Sequence, residues 1–82
     1  MAAPARRSRS RRGAQLSRIL GRNLRRACVA RGIDAARLAQ LTGRSRRSIE
    51  RMLAGESDPT LAVLVEVARS IDVPLSDLLR DS

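Results

Sequence analysis

The sequence predicts an all-α domain of five helices. Apolar residues recur at three- and four-residue spacing through most of the chain, and no segment alternates apolar with polar as a half-buried strand does. Each periodic segment is also bounded by Gly, Pro, Asp, Ser or Thr, the residues that start and stop helices.

Helix one is read from Leu16, with Leu20, Leu24, Ala27 and Cys28 on its inward side, and stops at Gly32. Asp34 is a fair N-cap for helix two, Ala35 to Thr42, whose buried side is Leu38, Ala39 and Leu41. Gly43 can take the positive φ of a tight inter-helix turn, and Ser45 caps helix three, Ser45 to Ala54, which Gly55 ends. After Glu56-Ser57-Asp58-Pro59, Thr60 caps helix four. Its inward stripe is Leu61, Leu64, Val67, Ala68 and Ile71, and Val63 and Val65 form a second apolar flank that needs cover. Pro74 sets the backbone for a short fifth helix with Leu75, Leu78 and Leu79. Residues 1–13 hold Pro, Gly, Ser and five arginines but no apolar side chain larger than Ala after Met1, so a disordered basic arm is expected ahead of a folded domain at 14–82.

Composition excludes several functions. The 82 residues include no Phe, Trp or Tyr, so no aromatic platform exists for stacking unpaired bases. With no histidine and only Cys28, the usual residues for metal binding and general-base chemistry are missing, and an intrachain disulfide is impossible. An enzyme, a metal or a cofactor is therefore not expected. No apolar run approaches the ~20 residues that span a bilayer, and no secretory core follows the basic start. A soluble, cytoplasmic protein is the expectation.

Charge is unevenly placed. Residues 1–51 carry fifteen arginines against Asp34 and Glu50, or +13. Residues 52–82 carry Arg69 and Arg80 against six acids, or −4. Every basic residue is arginine, whose planar fork suits phosphate and guanine better than a lysine point charge. The basic end is built to face an anion.

Helices two and three, residues 35–54, form a helix-turn-helix about Gly43. Ile49, Met52 and Leu53 fall on one face of the second helix; Arg46, Arg47, Glu50 and Arg51 fall on another. Around them the chain reads I-L-G-R-N-L-R, R-G-I-D-A-A-R-L-A-Q-L-T-G, R-S-R-R-S-I-E-R-M-L-A-G and P-T-L-A-V-L-V-E-V-A-R-S-I-D-V-P-L-S-D-L-L. In order and spacing, these pieces resemble the lambdoid phage repressor and Cro superfamily, the xenobiotic-response-element class, over about residues 19 to 80.

The resemblance implies a sequence-specific regulator of double-stranded DNA with the N-terminal half of helix three in the major groove. Arg46, Arg47 and Arg51 then lie at base edges, where each fork can bond O6 and N7 of guanine. Glu50 is spaced to hold Arg46 or Arg47, or to accept from a cytosine amino group. The start of helix two and the loop after helix three are implied to clamp phosphates, which points to Arg37, Arg44, Ser45, Ser48, Ser57 and Thr60. Simple capping is an equal reading for Ser48 and Thr60. Relatives often carry glutamine where this chain has Ala35, and some join helices one and three by a buried Arg–Glu pair where this chain has Cys28 and Leu53. Both members of that pair are apolar here, so Cys28 is expected in the core.

One such helix reads few base pairs, so a homodimer on a palindromic operator is expected, with recognition helices about 34 Å apart. The interface is assigned to Val73, Leu75, Leu78 and Leu79. In the arm, Arg6, Arg7, Arg9, Arg11 and Arg12 are placed along phosphates or in the minor groove. The favoured role is a repressor. The alternative is an antitoxin-type module that grips a toxin and uses DNA binding for autoregulation. Sequence-independent packing of DNA is a third reading.

Overall fold

The five helices of the computed structural model, which describes residues 11–81, are α1 (Arg11–Arg31), α2 (Ala35–Thr42), α3 (Arg46–Leu53), α4 (Leu61–Ser70) and α5 (Leu75–Leu79). Their ends follow from local chemistry. Asp34, Ser45 and Thr60 each turn a side-chain oxygen onto a backbone N–H three residues ahead, at 2.8, 3.0 and 3.2 Å. Gly32, Gly43 and Gly55 leave the preceding helices in the left-handed region. Asp72 does the same after α4 at φ 57°, one of the few side chains that tolerates it.

Leu20, Leu24 and Cys28 from α1 meet Leu38 and Ala39 from α2, Ile49 and Met52 from α3, Val67, Ala68 and Ile71 from the α4 segment, and Leu78 from α5. Two polar ties fix α1 to its neighbours. The buried Asn23 amide donates to the carbonyls of Leu78 at 2.9 Å and Arg80 at 2.7 Å, closing α5 onto α1. Arg25 reaches the last carbonyl of α3, donating to Leu53 at 2.7 Å.

Several expectations are corrected. Arg11, Arg12 and Gly13 lie within α1, so these three are helical rather than part of a disordered arm. Arg6, Arg7 and Arg9 lie outside the described residues. Leu78 is fully buried, which removes it from any surface between subunits; a five-residue helix has too few turns for spacing to show which leucine faces inward. Leu16, Leu41 and Leu61, read as inward, are 49%, 39% and 66% exposed. Spacing puts them on an apolar face, but no described element covers that part of it.

Cys28 is 4% exposed, and burial pushes its thiol above the ordinary range although the Arg31 guanidinium pulls the other way. Alkylation of the folded protein at neutral pH should be slow and should become fast in denaturant. As pH rises through the thiol range the unfolded chain loses its proton first, so this group's contribution to stability is complete below that range and erodes above it. Denaturant titrations of a Cys28→Ala variant should lack that alkaline loss.

Candidate nucleic-acid interface

Ser45 starts α3 one residue past the turn, so the first exposed turn of the helix follows directly from Gly43 and Arg44. Ile49 and Met52 are buried beneath the helix, leaving Arg46, Arg47, Glu50 and Arg51 on the open side. The Arg46 Nε donates to a Glu50 carboxylate oxygen at 3.0 Å, the i to i+4 pairing that spacing allowed. Arg51 makes a long contact, 3.4 Å, to the Glu56 carbonyl. Arg47 has no partner among the described residues.

Ser45, Arg47, Ser48, Arg51 and Ser57 line one shallow depression of about 250 Å³. Five of the side chains singled out from the sequence thus converge, with two guanidinium groups and three hydroxyls around one space. Its lining is that of an anion site: fork donors, O–H donors and no carboxylate. Ser45 uses its oxygen to accept from the Ser48 amide, which leaves its O–H free to donate outward. Thr60 does the same toward Val63, apart from this group at the start of α4.

The remaining predicted positions divide. Arg37 is exposed at the start of α2, its guanidinium 3.4 Å from the Gln40 side-chain oxygen. Arg44 is committed to an ion pair with Glu66 of α4 at 2.6 Å, and its Nε is buried without a hydrogen-bond partner among the described residues. It therefore braces the turn between α2 and α3 against α4. The salt bridge spans 22 residues of sequence. Leu79 is 40% exposed and, with Leu16, Leu20, Pro59 and Leu64, lines an apolar groove of about 250 Å³. Val73 and Leu75 are half-buried against the core.

Sequence reasoning missed Gly21 and Arg25, which set α1 against the end of α3, and Asn23, which ties α1 to α5. Gly21 packs so closely on the end of α3 that an added Cβ would sit 2.8 Å from the Gly55 nitrogen and 3.0 Å from the Leu53 carbonyl oxygen. Asn23 and Arg25 act on backbone carbonyls far along the chain. A glycine inside a helical pattern was the one available signal.

This arrangement defines a helix-turn-helix domain, and the chain belongs to the helix-turn-helix domain family, whose model matches residues 19–81. Within that family of DNA-binding domains it is of the Cro/repressor-like class. Its relatives include the HTH-type transcriptional regulator SutR of Escherichia coli K12, 34% identical over 64 residues that make up 78% of this chain and 36% of SutR. The chain thus spans about a third of that relative. Among solved structures, an HTH_3 family transcriptional regulator from Vibrio cholerae matches at 27% identity and TM-score 0.76, over 80% of this chain and 37% of that one. The restriction-modification controller protein C.AhdI from Aeromonas hydrophila shares the fold at 24% identity and TM-score 0.72, over 76% of this chain and 94% of its own. No described helix is long and apolar enough to cross a membrane.

Proposed function

We propose that the chain is a sequence-specific, double-stranded DNA-binding transcriptional regulator that acts as a dimeric repressor. The convergence of Ser45, Arg47, Ser48, Arg51 and Ser57 on the open side of α3 carries this reading. Arg47 and Arg51 project guanidinium forks toward guanine edges, the carboxylate of Glu50 holds Arg46 in a fixed rotamer beside them, and the hydroxyls of Ser45, Ser48 and Ser57 take the adjoining phosphates. Arg37 and Thr60 extend the phosphate contacts on either side. Repression follows from occupying the operator.

Selection of bound duplexes from a random pool at physiological salt tests the reading. Enrichment of a palindrome with guanine in each half-site is expected. A specificity ratio near one, or a selected site without guanine where α3 docks, would overturn it.

The dimer surface is the exposed flank around Leu79, with Val73 and Leu75 at its margin. Leu16 and Leu61 add apolar area that a monomer leaves in water. Sedimentation at micromolar concentration should give a dimer, and Leu79→Arg a monomer that binds a palindrome weakly. A parent that sediments as a monomer would refute this assignment.

A further inference from the structure

The outer face of α1 carries a line of arginine that the recognition helix does not use. Arg11, Arg18, Arg22, Arg25 and Arg26, with Gln15, fall within an arc of about 100° when each residue turns the helix by 100°. All six are exposed, and α1 contains no acidic residue. The line runs for about 22 Å at 1.5 Å per residue. Little within the fold neutralises it. Arg22 meets Asp81 at 3.6 Å between two well-exposed side chains, Arg25 is spent on the Leu53 carbonyl, and Arg11, Arg18 and Arg26 have no partner among the described residues. Like charges three and four residues apart oppose helix formation unless an anion meets them.

We infer that this face of α1 is a second, rigid phosphate-binding ridge that lies along the backbone of the duplex read by α3. The inference rests on the DNA-reading role proposed above. Position favours it. Gly55 at the end of α3 packs against α1, where a Cβ would lie 3.1 Å from the Arg18 Cα, and Arg25 is bonded to the last carbonyl of α3. The ridge therefore borders the loop that carries Ser57, one wall of the depression on α3. Chemistry favours it too. A small anion engages one or two forks, whereas a line of forks 22 Å long fits a polymer with a phosphate every ~3.4 Å of axis per strand. The ridge is fixed to α3 by backbone contacts, so it adds affinity in register with base reading and carries no base preference of its own.

The test compares the full-length parent with an Arg18→Gln/Arg22→Gln/Arg26→Gln variant, sparing Arg25 because it ties α1 to α3. Glutamine keeps helix propensity, and far-UV circular dichroism checks the fold. Binding to the selected duplex is measured from 50 to 200 mM salt. At about 0.9 per phosphate, the slope of log affinity against log salt should flatten by about 2 to 3 units, with the selected sequence unchanged. Arg18→Gln alone should give about one third of that change, and Arg69→Gln on α4 none. A variant slope equal to the parent's overturns the ridge, as does loss of binding to single-stranded RNA or an acidic protein with the duplex slope intact. Failure of the base-reading role shows separately, because the parent then selects no sequence while the slopes on arbitrary duplex remain comparable.

Discussion

Gly21→Ala should lower the melting temperature by about 5 to 20 °C. In an ordinary exposed helix the change would stabilise by up to about 1 kcal/mol, since alanine is the better helix former. Here the added methyl would meet the Gly55 nitrogen at 2.8 Å, the Gly55 Cα at 3.0 Å and the Leu53 carbonyl oxygen at 3.0 Å. All three are backbone atoms, so no side chain can turn aside and α1 must separate from the end of α3. Overpacking of this kind costs about 1 to 3 kcal/mol net, and each kcal/mol is worth roughly 4–8 °C in a domain of this size. Separation also lengthens the Arg25 bond to Leu53, now 2.7 Å, so DNA affinity should fall by more than the lost stability alone explains. Thermal melts and binding below the melting temperature measure the two effects. A variant as stable as the parent would mean that the close approach is not maintained in solution.

Arg47→Ala should reduce binding to the selected duplex by about 5- to 150-fold, the 1–3 kcal/mol of one bidentate guanine contact, with little change on arbitrary sequence. Arg47 is the clearest case because no partner among the described residues competes for it. Arg51→Ala should act similarly, since its 3.4 Å contact to the Glu56 carbonyl is weak. Glu50→Ala should act differently: Arg46 loses the carboxylate 3.0 Å from its Nε, so preference at its base position relaxes while total affinity falls little. Competition binding on single-base variants of the site separates these outcomes. Equal losses on specific and arbitrary duplex would make Arg47 a phosphate contact instead.

Helices α2 to α5 were legible because their ends carry their own instructions. Asp34, Ser45, Thr60 and the glycines at 32, 43 and 55 fix boundaries through bonds that span three or four residues. The start of α1 was not legible. An Arg-, Ser- and Gly-rich run reads as disorder, yet Arg11, Arg12 and Gly13 are helical. Leu78 shows the limit of spacing in a short element, and Leu61 shows that an apolar face does not guarantee a cover. The candidate interface was legible as residues but not as a tertiary frame. Nothing near Asn23, Arg25 or Arg44 in the sequence announces a partner 22 to 57 residues away.

The Ser45 hydroxyl has two ends, and they answer to different masters. Its oxygen accepts from the Ser48 amide in the first turn of α3, while its proton remains available to a further acceptor. A phosphate that takes the proton makes the oxygen a better acceptor, because hydrogen bonds in a chain polarise one another. Docking would then tighten the first turn of α3, and by reciprocity whatever steadies that turn would raise affinity for the phosphate. On the proposed reading, the start of α3 is thus a point where local folding and operator binding are one equilibrium.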